Sequence, residues 1–302
     1  MKILLVGDLY ARTATPAKRL DEDFLSTFLD KLSQIVKIAK DNDAIILQAG
    51  DWHDSYSPDK LLLIKEIELL VTCGVYIYTI HGQHDMRYHS QKSTNHSAIR
   101  VLEAANCLNV IDEKEPVRLN LYNTNIYAAP YGTSPTLKPE KGRFNILVSH
   151  VMVMNKPLYI NHEYVSPTEY MKEFPGYDMY FVGDIHSPFV SKRNGNLMIN
   201  AGSVLRTSID QKDYKPKVIL FDTEDKSFFD IYLNVKDDVF DLVEIKKIQE
   251  NKFEGMIEKL RGSGKISVNF KDNLDLFMKK HKINKNIVDI IEENYYNKIG
   301  DK

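Results

Sequence analysis

Three short apolar runs, KILLVG (2–7), AIILQAG (44–50) and VYIYTI (75–80), are separated by two stretches whose apolar residues recur at helical spacing. In the first stretch Phe24, Phe28, Leu32, Ile35, Val36 and Ala39 fall on one face, between the acidic start DED (21–23) and the break DND (41–43). The second, DKLLLIKEIELLVTCG (59–74), predicts a helix closed by Gly74. Strand, helix, strand, helix, strand at these intervals requires crossover connections. Such connections build a largely parallel sheet covered by helices.

Beyond Val110 the texture changes to strand and turn. VRLNLYNTNIYAAP (117–130) reads as a hairpin around Asn123 to Asn125, FNILVSH (144–150) and MYFVGD (179–184) as core strands, and KVILFDT and SFFDIYLN as two more. Asn194-Gly195 between two β-like runs is a strong hairpin signal. The pattern suggests an α/β fold of two sheets packed face to face with helices outside. Past about Asp238 lysine becomes frequent and a strand, a helix, a strand and two helical stretches follow, which predicts a small α+β unit. The expected division is 1–237 for the main domain and 238–302 for a C-terminal α+β cap.

Composition restricts the function classes. With 43% hydrophobic and 27% charged residues the chain is neither disordered nor low in complexity. The two cysteines, Cys73 and Cys107, form no CxxC clip or disulfide framework, so a reducing cytoplasm is the expected compartment. MKILLVGD carries an apolar run too short for a secretory signal or a membrane span, so no membrane association is expected. A net charge of −2 does not draw the whole molecule to nucleic acid. Contact with a polyanion must come from a local basic patch or from bound metal ions.

The chemistry lies at the ends of the apolar strands. ILLVGD stops at Asp8, IILQAGD at Asp51, YIYTIHGQHD at Gln83, His84 and Asp85, NILVSH at His150, and YFVGDIH at Asp184 and His186. Each piece alone has a plain explanation: Gly-Asp after a strand is an ordinary turn, and a lone histidine on a strand is more often packed in the core. Five such endings at the same pole of five strands call for another explanation, because ligands bind where the carboxyl ends of parallel strands converge. Carboxylate, imidazole and amide donors without a thiolate suit Mn²⁺, Fe²⁺ or Zn²⁺ in a reactive rather than a structural site. In GDWHD (50–54) Asp51 is placed to ligate and Asp54 to orient a neighbour from behind it.

The ordered series GDLY, GDWHD, GQHD, SH and GDIH resembles the signature of the calcineurin-like metallophosphoesterases, DxH, GDxxD, GNHD, a lone His and GHxH, over about residues 1–210. The resemblance implies a four-layer α-β-β-α metallophosphoesterase sandwich. It also implies two divalent metal ions, Mn²⁺ first, with Mg²⁺, Fe²⁺ or Zn²⁺ as alternatives. Asp8, Asp51 and His186 would surround one ion, and Asp51, Gln83, His150 and Asp184 the other. His84 would protonate the leaving oxygen, and Asp85 would set its tautomer or brace the loop. Two ions gripping a phosphodiester lower the pKa of a bridging water and stabilise an in-line displacement. An imidazole titrates in the range needed to deliver a proton near neutrality.

Within that superfamily, GDWHDSYSP, the segment before GDIHSPFV, NAGSVLRTS (200–208) and the C-terminal cap are similar to the SbcD-type subunit of the DNA-repair exonuclease and its bacteriophage recombination relatives. That similarity implies DNA as a substrate, an SbcC-type ATPase subunit and a homodimer as partners, and a nuclease of recombination or repair as the activity. The lysine cluster KKHKINK (279–285) could touch a phosphate backbone, although the acidic residues interspersed through the same region favour a solvated helix end. NKNIVDIIEENYY (284–296) is the candidate segment for the ATPase.

Three positions depart from the family form. Tyr10 stands where a metal-binding histidine is expected, and a phenol with an ordinary pKa of about 10 is a poor neutral ligand. Gln83 replaces asparagine and keeps an amide oxygen. Asp184 replaces the first histidine of GHxH and hardens the donor set toward Mn²⁺ or Mg²⁺. His53, His81 and His89 lie near enough in sequence to substitute for the missing ligand. Two other functions fit the same residues: a small-molecule phosphoesterase, and a binding module that keeps the fold without the reaction.

Overall fold

The alternation of side chains along each strand decides how this chain layers itself. The computed structural model describes residues 1–156, 164–236 and 239–241. The chain divides into two compact units, Met1–Phe240 and Asp241–Lys302. The expected α+β cap, the lysine cluster and the candidate ATPase-binding segment lie outside the described residues.

In the first unit, β1 (Lys2–Val6), α1 (Phe24–Asp41), β2 (Ala44–Gln48), α2 (Lys60–Leu70), β3 (Ile77–Thr79), α3 (Ala98–Ala104) and β4 (Asn109–Val110) follow in order. Then come β5 (Val117–Leu119), β6 (Thr124–Ala129), β7 (Phe144–His150), α4 (Pro167–Glu173), β8 (Met179–Gly183), β9 (Phe189–Arg193), β10 (Asn196–Asn200), β11 (Lys217–Asp222) and β12 (Phe228–Tyr232). Two six-stranded sheets result, ordered β12-β11-β1-β2-β3-β4 and β5-β6-β7-β8-β10-β9. β1 to β4 pair in parallel, as do β6, β7, β8 and β10. The flanking pairs β1–β11, β11–β12, β5–β6 and β9–β10 are antiparallel.

Period-two patterning sends alternate residues of each strand into different cores. In β1, Leu4 and Val6 pack with Phe24, Phe28 and Leu32 of α1, while Ile3 and Leu5 face the other sheet. In β7 and β8, Ile146, Val148, Met179 and Phe181 meet Ile3, Leu5 and Leu47 between the sheets. Leu147, Tyr180 and Val182 turn the other way, toward Tyr170 and Met171 of α4. Four layers therefore stack as α, β, β, α. Burial of each large apolar side chain contributes roughly 1.5–3 kcal/mol.

Local signals set the helix ends. Asp23 caps α1 by accepting from Ser26 N at 3.0 Å, and Ser166 and Glu169 close a reciprocal capping box on α4. α2 stops at Leu70, short of Gly74, which instead lies in the following turn at φ +67°. The Asn194-Gly195 turn joins β9 to β10 with both residues at positive φ (49° and 81°), as a tight two-residue hairpin requires. No helix among the described residues is long and apolar enough to cross a membrane.

One buried charge ties the helical layer to the loop after β2. Glu66 of α2 is fully buried; its Oε1 accepts from Trp52 Nε1 at 2.8 Å and its Oε2 lies 2.9 Å from His53 Nε2. Burial lowers the His53 pKa, but the Glu66 carboxylate outweighs it and leaves the imidazole above its ordinary value. Glu66→Leu strips two buried N–H groups of their acceptor and is expected to cost about 3 kcal/mol or more in urea unfolding. The exposed Phe229→Ser should stay within about 0.5 kcal/mol of wild type.

Candidate metal centre

The strand ends that carry the polar residues come from both sheets rather than one. β1, β2 and β3 deliver Asp8, Asp51 and the Gln83–Asp85 loop from the first sheet; β7 and β8 deliver His150, Asp184 and His186 from the second. Their loops close on one another with almost no space for side chains between them. A Cβ on Gly82 would stand 2.1 Å from Asp51 Oδ1, and one on Gly183 would stand 2.9 Å from both Asp8 Oδ1 and His150 Nδ1. Only glycine permits this approach.

Asp51 sits at φ +52°, fully buried, and its backbone carbonyl accepts from Leu9 N and Tyr10 N at 3.1 Å each. Its carboxylate Oδ1 accepts from His84 N at 2.8 Å, and Oδ2 accepts from the Tyr10 hydroxyl at 2.9 Å. His150 Nε2 stands 3.4 Å from the same Oδ2, at ion-pair distance without hydrogen-bond alignment. Burial works to raise the Asp51 pKa, but the His150 and His84 contacts hold it below the usual carboxylate range.

Asp8 is almost wholly buried; its Oδ1 accepts from Asp184 N at 3.3 Å, while Oδ2 has no hydrogen-bond partner. Burial, relieved in part by His150, pushes its pKa up to about 8. The Gln83 amide donates from Nε2 to Asp184 Oδ1 at 2.7 Å. A carboxylate only accepts, so this contact fixes the amide and leaves Gln83 Oε1 buried and unpartnered. His150 is oriented in the same manner. Its Nδ1 donates to Ala49 O at 2.6 Å, which turns Nε2 into the pocket, also unpartnered. Burial depresses the His150 pKa, yet the neighbouring Asp51 raises it to about 10.

His84 and His186 flank Tyr10, whose ring meets them edge-on at centroid distances of 5.2 and 5.0 Å. His186 Nε2 lies 3.0 Å from the Tyr10 hydroxyl and 3.9 Å from Asp8 Oδ2. Burial keeps the His186 pKa below its ordinary value despite the nearby carboxylates. Burial and the charges of Asp8 and Asp51 drive the Tyr10 phenol far above its own.

Of the two supporting roles open to Asp85, the contacts it makes are those of a loop brace, and Asp54 meets His84 through its backbone. The Asp54 carboxylate pairs with Arg12 at 3.0 Å, and it is the Asp54 carbonyl that meets His84 Nδ1 at 3.2 Å. The Asp85 carboxylate bonds to backbone rather than to the His84 ring, whose Nδ1 meets Asp54 O. It accepts from Gly82 N (2.9 Å), His53 N (3.1 Å) and Trp52 N (3.3 Å), locking the β2 and β3 loops together, and burial raises its pKa to about 6. His53 is committed to Glu66, and His81 is buried with its pKa lowered to about 4 by burial and Arg100. His89 Nδ1 lies 2.9 Å from Gln83 O, and its ring stands edge-on to His84.

Sequence reasoning overlooked Gln48, buried at the end of β2. Its amide donates to Gly7 O and Gly50 O and accepts from Gly50 N, so one side chain clasps the loops after β1 and β2. The signal was present: a polar residue inside the apolar run AIILQAG has to find buried partners.

The match to a family model supplies the name for this arrangement: residues 1–188 match the calcineurin-like phosphoesterases. The chain belongs to that family. The family generally uses two divalent metal ions to hydrolyse phosphoesters. Two solved structures are similar in outline. An archaeal phosphodiesterase is 16% identical, with 77% of this chain and 100% of that chain covered at a TM-score of 0.43. A putative 5'-nucleotidase from Staphylococcus aureus is 10% identical, with 84% and 58% covered at a TM-score of 0.45. No curated protein sequence matches the chain.

Among the described residues, no three His, Cys, Asp or Glu side chains are already gathered around one point as an ion would require. The donor chemistry nevertheless fits a hard cation. Three buried donor atoms from the ends of three strands, Asp8 Oδ2, Gln83 Oε1 and His150 Nε2, lack any hydrogen-bond partner, and such atoms are costly unless something satisfies them. In the metal-free protein, protons do part of that work on Asp8, Asp85 and His150. Each has a pKa raised on folding, so the stability they contribute is complete below their ordinary values and is lost as pH rises through about 6, 8 and 10. The lowered pKa values of His81 and His186 act in the opposite sense below pH 7, so melting temperature in EDTA should fall from pH 7 to pH 9, and Asp8→Asn should flatten the part of that fall that ends near pH 8.

Proposed function

We propose that this phosphoesterase is a metal-dependent phosphodiesterase acting on DNA in recombination or repair, with an SbcC-type ATPase as partner. The observation that carries the reading is the set of unpartnered donors, Asp8 Oδ2, Gln83 Oε1 and His150 Nε2, in a pocket that also holds the Asp51 and Asp184 carboxylates. Oxygen donors outnumber nitrogen in that set, which favours Mn²⁺. A bound divalent ion supplies an activated water and neutralises phosphoryl charge. The support for DNA over smaller esters is the SbcD-like run of motifs between Asp8 and Ser208. Cys73 and Cys107 are free and buried, in keeping with a reducing compartment.

The protein's own groups fill the remaining roles. His84 keeps Nδ1–H on the Asp54 carbonyl, so Nε2 is the nitrogen that passes a proton to the departing oxygen. Its backbone N–H, bound to Asp51 Oδ1, ties that acid to the carboxylate at the centre of the pocket. Asp85 holds the loop that carries His84 through three backbone N–H groups, a positioning role that leaves the imidazole free to move its proton. Gln83 and Asp184 restrain one another across the two sheets.

A second reading, a binding protein that keeps the fold without the reaction, is favoured by the Tyr10 hydroxyl, which already occupies Asp51 and His186. Hydrolysis decides between the two. With Mn²⁺ the wild-type chain should degrade linear DNA and cleave bis(p-nitrophenyl) phosphate faster than p-nitrophenyl phosphate. His84→Ala should lower kcat by roughly 10²–10⁴ while leaving Mn²⁺ affinity intact. Full activity in that variant rules out the acid role. Turnover of monoesters alone points to a small-molecule phosphoesterase, and no turnover with any ester points to the binding module.

A further inference from the structure

We propose that the Tyr10 hydroxyl stands in for one of the family's two cations, so that this chain binds a single divalent ion, on the side of the pocket lined by Gln83 and His150. The inference rests on reading the pocket as a metal site. The two ends of the pocket differ in what their donor atoms are doing. At one end, Asp51 Oδ2 accepts the Tyr10 proton at 2.9 Å, and His186 Nε2, carrying its own hydrogen, donates to the same phenolic oxygen at 3.0 Å. At the other end, Gln83 Oε1 and His150 Nε2 have no hydrogen-bond partner, and His150 Nε2 stands 3.4 Å from Asp51 Oδ2. Asp8 Oδ2, which also lacks a hydrogen-bond partner, stands 3.9 Å from His186 Nε2.

A hydroxyl bridging a carboxylate and an imidazole at about 3 Å fills the place of an ion, which would sit about 2.0–2.2 Å from such nitrogen and oxygen ligands. Both cannot be present. For an ion to enter, the phenol would have to swing away; the backbone cannot carry it, because it is pinned, and the ring cannot easily turn, because it is packed between two imidazoles. Leu9 N and Tyr10 N are both bonded to Asp51 O, Ala11 N is bonded to Trp52 O at 2.9 Å, and Tyr10 itself sits at φ +48°. The residue is only 7% exposed, and its ring lies between the His84 and His186 rings. Tyr10 is thus a positioning residue that holds Asp51 and His186 where an ion would otherwise hold them.

Mn²⁺ itself is the probe, counted by elemental analysis after desalting the full chain and read by electron paramagnetic resonance. Wild type should hold one Mn²⁺ per chain and give the six-line spectrum of an isolated ion. Tyr10→His should take up a second ion at least tenfold more tightly than wild type, with an exchange-coupled spectrum. Tyr10→Phe, which frees Asp51 Oδ2 and His186 Nε2 without adding a ligand, should admit a second ion more weakly than Tyr10→His. Two coupled ions in wild type would overturn the proposal and leave the phosphodiesterase reading standing. A single isolated ion in both variants, with thermal melts showing them folded, would also overturn it. Failure of wild type and both variants to retain any ion would remove the metal-site reading as well.

Discussion

Asp51 is the residue on which the pocket closes. Its carbonyl fixes the loop after β1, and its carboxylate fixes the loop after β3 through His84 N, accepts a hydrogen bond from the Tyr10 hydroxyl and faces His150 from the second sheet. One residue at a left-handed φ of 52° therefore sets the mutual position of groups contributed by four strands. Asparagine or aspartate tolerates that conformation better than most residues, because a short polar side chain can bond locally. Here the bonding is long-range, and the strain is stored where several loops over-determine it.

Concentrating the buried Asp8 and Asp51 beside the half-buried Asp184 creates an electrostatic problem that the fold answers in two ways. One is protonation, visible in the upward shifts at Asp8 and His150. The other is local donors: Gln83 Nε2 on Asp184, His84 N and the Tyr10 hydroxyl on Asp51, and Asp184 N on Asp8. Neither satisfies every atom, and the unsatisfied ones face inward. A divalent cation would displace protons and complete the coordination together, so ion uptake and proton release are linked by the same charges.

Layering was legible in the sequence because burial on both faces leaves a plain record. Runs such as ILLV in β1 and ILV in β7 are apolar at every position, and α1 shows its stripe of Phe24, Phe28, Leu32 and Ile35 without ambiguity. Strand-end polarity located Asp8, Asp51, His84, His150, Asp184 and His186, which the structure brings to one pole. What could not be read was the partner of each polar group. Asp54 and Asp85 look alike in GDWHD and GQHD, yet one faces Arg12 and the other three backbone amides. That choice depends on how two loops from neighbouring strands meet, and no local pattern encodes it. The convergence across two sheets was equally hidden, since strand order is set by tertiary packing.

The Glu66 and Gln48 networks show why the pocket can tolerate so many exceptions to ordinary burial. Both sit one layer behind the polar cluster, and both spend their hydrogen bonds on the loops that carry it. Glu66 secures Trp52 and His53 from the helical side, and Gln48 clasps Gly7 to Gly50 from within the sheet. With the backbone held from behind, the residues in front are free to keep donor atoms unpaired, a condition that a looser scaffold would relieve by collapsing around them. Unpaired atoms are therefore a product of rigidity elsewhere. The same rigidity makes Tyr10 consequential, because a phenol that cannot swing aside determines how many ions the space can hold.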